Sequence, residues 1–406
     1  MKKYVLLQVR SSSKRLPFKG LLKIKSLPSI ILLYKRIVSK SYKTIILTSN
    51  NSSDDYLCKE LQNYKINFYR GNLANVKKRF LDFTRNYKNE DIIIRLTGDN
   101  LFIDKYLINE VISQLIKNKK KYLYTNPLIS KIPLGISVEA FILKTLRQFK
   151  KNSLLDKEHV TINFDRTKVN TVNFTNINAE WKHLSSTVDT ISDFYKIKGV
   201  FKKIKNPLSA KWQFLCNKLL GFKDKKNQLN KSKIILKSIY TKNLNKNLLK
   251  EIANLKSEQW KFKVNSQIKF IKKNFTSLDV HNLLYINKEL AGYTALKRSN
   301  FYNNVSNIKK NCLIFDTFII KKKFQNKNLS EILMCFNKNK IINLNLPTFL
   351  TCKNKYEKFY LKNNWKASSK KITIYQKKYF NLKIFSFNFK ENKILNKNKS
   401  KIIINF

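Results

Sequence analysis

Near the amino terminus an apolar run opens into Gln8-Val9-Arg10-Ser11-Ser12-Ser13-Lys14-Arg15-Leu16-Pro17-Phe18-Lys19, which packs three hydroxyls and four cations into one short segment. Backbone amides, hydroxyls and fixed cations are what a triphosphate needs. A solvated basic turn would carry the same residues, so the segment leaves both readings open. A second element, Ile94-Arg95-Leu96-Thr97-Gly98-Asp99, sets an aspartate just past an apolar run with glycine before it. A third is Thr187-Val188-Asp189-Thr190. Two carboxylates from separate strand ends, Asp99 and Asp189, suit Mg²⁺ bound against phosphate oxygens. The metal would offset charge on the phosphorus centre and on departing pyrophosphate. Asp104 reads instead as a turn or helix-cap aspartate.

These residues need a scaffold that brings distant segments together. Short β-type runs alternate with helical patterns over the first two hundred residues. Strands are expected at Tyr4–Val9, Ile45–Thr48, Ile66–Tyr69 and Ile92–Leu96. Helices are expected at Ile30–Val38, Asp54–Leu61, Val76–Tyr87 and Leu107–Ile116. Such alternation implies βαβ units and a mainly parallel sheet. Ligands of such sheets bind beyond the carboxyl ends of the strands. From Asn206 to about Ser232 the pattern weakens, which predicts a linker at 206–232. A second apolar pattern runs over 233–380, and 381–406 reads as an unassigned basic tail.

The chain of 406 residues carries Lys+Arg 83 against Asp+Glu 25, a net charge of +58. A nucleic-acid binder is one reading of that charge. The excess is spread along the whole chain rather than gathered into a face, which argues for compositional drift and no specific nucleic-acid partner. An anionic membrane surface would attract such a chain peripherally, and a homodimer is left open. The apolar run near the start stops at Gln8 and Arg10, too short for an export core, and no stretch is long enough for a membrane helix, so a cytoplasmic protein is expected. Five scattered cysteines with no paired CxxC spacing predict neither a disulfide framework nor a zinc site.

Arg10 to Lys19 resembles the R-x-x-S-x-R-L-P-x-K loop of the acylneuraminate-type cytidylyltransferases, in particular the branch of spore coat polysaccharide biosynthesis protein F. The resemblance continues in order. Thr48-Ser49-Asn50 with Asp54-Asp55 fits the loop after the second strand. Tyr69-Arg70-Gly71-Asn72 resembles an F-R-G segment, and Ile94 to Asp99 an R-x-T-G-D. Pro133-Leu134-Gly135-Ile136-Ser137-Val138-Glu139 resembles P-x-G-x-x-V-E, Lys157-Glu158-His159-Val160-Thr161 resembles R-E-H-V-T, and Val188-Asp189-Thr190 a late V-D-T. It implies an α/β fold whose first domain, 1–205, is a Rossmann-like, glycosyltransferase-A-like nucleotidyltransferase. It further implies that Gln8, Arg10, Ser13, Arg15, Lys19 and Arg95 bind the nucleotide, with Arg10 and Lys19 catalytic. Asp99 and Asp189 would bind Mg²⁺, and Gly135, Glu139 and His159 would line the sugar pocket. A sugar hydroxyl would attack the α-phosphorus of CTP in line. Phe18 stands where that family often has glycine.

The second apolar pattern resembles the GCN5-related N-acetyltransferases. Leu283 to Leu296 reads as two strands joined by a turn, and Cys312 to Ile320 as another. Gln325, Asn328 and Ser330 fall on a Q/R-x-x-G-x-G/A loop, which would receive the pyrophosphate of acetyl-CoA at a helix start. Phe359-Tyr360 falls on an F-Y pair whose tyrosine would protonate the leaving thiolate. Asn328 replaces a glycine, and asparagine tolerates left-handed backbone angles better than most residues. The expected fold is therefore a Rossmann-like domain followed by a mixed α/β acetyltransferase-like domain. The expected function is CTP-dependent activation of a nonulosonic-type sugar acid to its CMP derivative for surface glycans, joined to a sugar N-acetyltransferase. The alternative is a basic nucleic-acid-binding protein on an inactive transferase scaffold.

Overall fold

Lys3-Tyr4-Val5-Leu6-Leu7-Gln8 is apolar on both faces, and its four central residues are buried. A strand that cannot tolerate water on either side belongs in the middle of a covered sheet. The computed structural model places it there. It describes residues 1–149, 153–175, 177–222, 232–305, 309–369, 372–374, 382–389 and 401–405. The chain divides into two units, Met1–Lys231 and Ser232–Phe406.

The first unit runs β1 (Lys3–Gln8), a small hairpin β2 (Lys23–Ile24) and β3 (Leu27–Pro28), α1 (Ser29–Ile37), β4 (Lys43–Ser49), α2 (Asp55–Asn63), β5 (Phe68–Gly71), α3 (Val76–Phe83), β6 (Ile92–Thr97), α4 (Lys105–Lys117), β7 (Tyr122–Tyr124), α5 (Pro127–Ser130), β8 (Glu139–Ile142), α6 (Leu143–Gln148), α7 (Leu154–His159), α8 (Ile191–Lys202) and α9 (Trp212–Leu220). Its six-stranded sheet has the order β5-β4-β1-β6-β8-β7. The first four strands in that order are parallel, while β8 runs antiparallel to both β6 and β7. The order reverses at β1, so the loops after β1 and β6 open side by side. That is where a doubly wound sheet binds ligands. One face of the sheet is sealed by Tyr4, Leu6, Leu47, Phe80, Ile93 and Phe141.

Two boundary expectations need correction. The stretch 206–232 is not all linker, because α9 belongs to the first unit. Trp212, Leu215, Cys216 and Leu219 are buried at helical spacing, a stripe obscured by the lysines and asparagines around it. The tail 381–406 contributes β16 (Lys383–Phe387) and β17 (Ile402–Ile404) to the second sheet, with Phe385, Ile402 and Ile404 fully buried. Asp104 caps α4, accepting from the amides of Tyr106 and Leu107 at 2.9 Å, and also takes the Trp212 amide at 2.7 Å.

The second unit runs β9 (Ile234–Tyr240), α10 (Lys246–Trp260), α11 (Val264–Asn274), β10 (Val280–Ile286), β11 (Glu289–Asn303), β12 (Lys309–Ile320), α12 (Leu329–Leu344), β13 (Thr348–Cys352), α13 (Glu357–Lys362), β14 (Lys366–Ala367), β15 (Ile372–Ile374), β16 and β17. The path β14-β16-β13-β12-β11-β10-β9 is antiparallel except between β12 and β13. Those two strands pair only at Leu313 with Thr348 and Ile314 with Phe349. Among the described residues no helix is long and apolar enough to cross a membrane.

Candidate active site

The loop leaving β1 is held as a fixed cradle. Its first turn is pinned by the fully buried Asp54, which accepts the Ser11 amide at 2.6 Å. The same carboxylate accepts Thr48 Oγ1 at 3.0 Å, the Ser49 amide at 3.1 Å, and Ser49 Oγ. The loop closes on itself where the Phe18 amide donates to Ser11 O at 2.9 Å. Phe18 takes a left-handed backbone, φ 58°, while its side chain is buried. That conformation is cheap for glycine and strained for a bulky residue, which explains why glycine suits this position and shows that packing holds phenylalanine there.

Lys19 follows, and it is the centre of the site. Its Nζ donates to Asp99 Oδ2 at 2.6 Å, Val188 O at 3.0 Å and Asp189 Oδ1 at 3.1 Å. Arg15 reaches the same Asp189 oxygen at 2.9 Å. Burial alone would raise the Asp99 pKa, but the adjacent Lys19 ammonium holds it below the usual carboxylate range. Asp99 and Asp189 come together because the segment before Asp189 runs beside the end of β6: the Val188 amide donates to Asp99 O at 3.0 Å, and Asn100 bridges Thr187. Gly135 locks that segment from the other side. Its φ is +96°, and a Cβ there would lie 2.6 Å from Thr187 Oγ1 and 2.7 Å from the Thr187 amide nitrogen. No other residue fits without moving the segment that carries Asp189.

Behind this centre lies a buried charge network. Glu139, the first residue of β8, faces Arg95 across the sheet. It receives Arg95 Nη1 at 2.7 Å, Arg166 Nη2 at 2.9 Å and Thr161 Oγ1 at 2.5 Å. Burial opposes its ionisation, and the two guanidiniums with the Thr161 hydroxyl outweigh it, so its pKa lies below the ordinary glutamate value. Arg95 Nε also reaches Gln8 Oε1 at 3.2 Å, tying this network to the end of β1.

Two hard oxygen donors that already share one cation are a suitable pair for a divalent ion. Among the described residues no group of three or more His, Cys, Asp or Glu side chains gathers to hold a metal. An ion here would therefore take two carboxylates from the protein and complete its shell with phosphate oxygens and water, the usual habit of Mg²⁺. The residues fit that use.

The cytidylyltransferase family profile matches residues 4–210. The chain belongs to the cytidylyltransferase family. This family of nucleotidyltransferases therefore accounts for the first unit. An uncharacterized protein of Methanocaldococcus jannaschii is 34% identical over 165 residues, covering 40% of this chain and 66% of that one. The spore coat polysaccharide biosynthesis protein SpsF of Bacillus subtilis is 28% identical over 210 residues, covering 49% of this chain and 85% of that one. The chain thus spans just under two thirds of the first relative's length. A cytidylyltransferase structure from Leptospira borgpetersenii overlays 53% of this chain and 93% of its own, with 24% identity and a TM-score of 0.48.

In this cytidylyltransferase the expected residues do not all converge. Lys19, Arg15, Asp99 and Asp189 share one cluster, and Gln8, Arg95 and Glu139 share the network behind it. Arg10 is turned to Glu158 at 3.1 Å. Ser13 accepts the Leu16 amide at 3.4 Å, a turn contact. Glu139 has both oxygens committed to partners, so it organises the wall of the site rather than offering a free carboxylate. His159 is exposed at the end of α7, and its neighbours Glu158 and Thr161 make the site contacts instead. Sequence reasoning missed Arg166 and the role of Asp54. The signal for Arg166 was its residue type: only ten of the 83 basic residues are arginine, and nine of those precede residue 170.

In the second unit Asn328 has φ 48°, a left-handed conformation that asparagine tolerates, immediately before α12. Gln325 Nε2 donates to Ile320 O at 3.0 Å, and Ser330 lies in the first turn of α12. Tyr360 is buried on α13 with its ring 5.9 Å from Phe385, and burial pushes its phenol well above the ordinary tyrosine range.

Proposed function

We propose that the first unit transfers a cytidylyl group from CTP to a sugar acid of the nonulosonic type, giving the CMP-sugar and pyrophosphate. The observation that carries this reading is Lys19 Nζ held between Asp99 and Asp189 at the mouth of the β1 loop. Lys19, Arg15 and Arg10 supply fixed positive charge for the triphosphate, and the loop amides and Ser13 complete the cradle. Asp99 and Asp189 would hold Mg²⁺, which when bound offsets the charge on the phosphates. Lys19 would then turn from the carboxylates to a phosphate oxygen. The sugar hydroxyl forms the new O–P bond at the α-phosphorus, the bond to the departing pyrophosphate breaks, and the hydroxyl proton is released. Gly135, Glu139 with its two arginines, and the α7 end bearing His159 would form the sugar side. Such catalysis rests on positioning and charge neutralisation. Pyrophosphate release from each of the four nucleoside triphosphates with a panel of sugar acids tests it: CTP alone should support turnover.

For the second unit we propose an acetyl-CoA-dependent acyltransferase acting on a sugar amine. Supporting it are the parting of β12 from β13, the left-handed Asn328 opening α12 next to Gln325 and Ser330, and the buried Tyr360 as proton donor to the leaving thiolate. The amides at the start of α12 would receive the cofactor's pyrophosphate. Calorimetric titration of acetyl-CoA tests this reading, and absence of binding sinks it.

A further inference from the structure

Under the helical hairpin of the second unit lie two charges that do not find each other. Lys256 on α10 is only 3% exposed. Among the described residues its ammonium meets aromatic rings and no hydrogen-bond acceptor, with the Phe270 centroid at 4.6 Å and that of Trp260 at 5.6 Å. Asp316 on β12 has its Oδ2 buried with no hydrogen-bond partner. The two sense each other's charge, yet they form no ion pair: burial holds the Lys256 ammonium below the usual lysine range, Asp316 opposes that, and the Lys297 charge adds to it.

The fold puts Asp316 there deliberately. It stands opposite Ala295, which stands opposite His281, so all three face the helices α10 and α11. The strand register slips at this point, and Thr317, at φ 58°, is the extra residue. A bulge of this kind re-aims the neighbouring side chain and recurs beside functional sites. Its polar neighbours His281 and Asp279 have partners. His281 Nδ1 lies 2.7 Å from Tyr293 Oη, and its Nε2 lies 3.0 Å from Thr241 Oγ1. The Asp279 carboxylate takes the Arg298 amide at 2.6 Å. A buried ammonium and a buried carboxylate oxygen left without partners are both costly, and their coincidence in one small region points to a ligand. Trp260 and Phe270, 41% and 44% exposed, give it an apolar wall open to solvent.

We infer that Lys256 and Asp316 form the acceptor subsite of the second unit, for an aminosugar that also carries an anion. The amine donates to Asp316 Oδ2 and the anion accepts from Lys256, with the sugar face against Trp260 and Phe270. The anion is a carboxylate or a phosphate, since an ammonium accepts either. This rests on the acyltransferase reading of the same unit.

Calorimetry on the full chain tests it with four compounds: glucosamine, glucuronic acid, glucosaminuronic acid and glucosamine 1-phosphate. At least one of the two compounds bearing both groups should bind more than about tenfold tighter than glucosamine or glucuronic acid, and which one does so identifies the anion. Lys256→Met and Asp316→Asn should each weaken that binding by roughly ten- to a hundredfold, the worth of a hydrogen bond to a charged group. Lys256→Met removes a buried ammonium with no hydrogen-bond acceptor, and Asp316→Asn the charge of a half-buried carboxylate whose Oδ2 has no donor, so the melting temperature should hold or rise, which separates lost binding from lost folding. Equal affinity for the single-group and double-group compounds, no binding of any of the four, or indifference to both substitutions would overturn the subsite. Acetyl-CoA titrated into the same protein keeps the two readings apart. Acetyl-CoA binding without sugar binding sinks the subsite alone, and sugar binding without acetyl-CoA leaves the subsite standing and sinks the acyltransferase.

Discussion

Replacing Lys19 with methionine keeps most of the unbranched side chain and removes the ammonium that bridges Asp99 and Asp189. The side chains of Lys19 and Asp99 are 15% and 21% exposed, and that of Asp189 is 27% exposed. This lies between surface pairs, worth at most about 1 kcal/mol, and fully buried pairs, whose rupture costs about 3–5 kcal/mol. A loss of roughly 2 kcal/mol follows, or about 4–8 °C in melting temperature for a unit of this size. The pH dependence carries the sign. Lys19 holds the Asp99 pKa below its ordinary value, so this pair stabilises the native protein above the unfolded-state pKa of about 3.9 and the benefit is lost as pH falls through the folded value. Without Lys19 that part of the depression is lost, so the variant should lose less stability than the native protein as pH falls. Added Mg²⁺ should raise the melting temperature of Lys19→Met more than that of the native protein, since no ammonium has to be displaced. Melting curves across pH, with and without Mg²⁺, read all three effects. A variant that melts like the native protein at neutral pH, with no larger response to Mg²⁺, would refute the shared-cation picture.

Gly135→Ala should destabilise the first unit by roughly 2–4 kcal/mol in urea unfolding, because the left-handed backbone and the contact with Thr187 both oppose a Cβ. Asp54→Asn keeps one acceptor oxygen but turns an amide donor toward either the Ser11 amide or the Ser49 donors. It should cost about 1–3 kcal/mol and raise the KM for the nucleotide more than it lowers kcat, as the cradle loosens. Glu139→Gln should flatten the acid limb of stability, because the depressed Glu139 pKa stabilises the fold above its unfolded value of about 4.3 and that benefit fades as pH falls. Acid titrations that superimpose for native and variant would contradict this.

The strands of the first sheet were legible because β1, β4 and β6 are too apolar to sit anywhere but inside, and the order of loops after them followed. The cations of the β1 loop were legible by type, whereas their partners were not: nothing in the spacing tells that Arg10 turns to Glu158 while Arg15 and Lys19 turn to Asp189. Asp54 looked like a helix-start residue, and only the fold shows its carboxylate reaching across to Ser11. The helix α9 and the strands β16 and β17 were obscured by the same cause, a background of lysine and asparagine that dilutes every periodic pattern. Arginine escapes that background. Arg36 donates to the carbonyls of Leu101, Phe102 and Pro207 and so secures the loop after Asp99. Arg79 clamps Asn72 O, and Arg147 holds Thr84 O and Tyr87 O. Each uses the planar fork that lysine lacks, so in a lysine-rich chain the position of an arginine is itself a structural signal.

Pyrophosphate release from CTP and a nonulosonic-type sugar acid, measured for the native chain, Asp99→Asn and Asp189→Asn in Mg²⁺, bears most directly on the first unit. Turnover should require CTP and vanish in both variants while their melting curves stay cooperative, because each substitution removes one of the two charges that would hold the metal. Near-native turnover in either variant would contradict the assignment of Asp99 and Asp189 as the metal-binding pair.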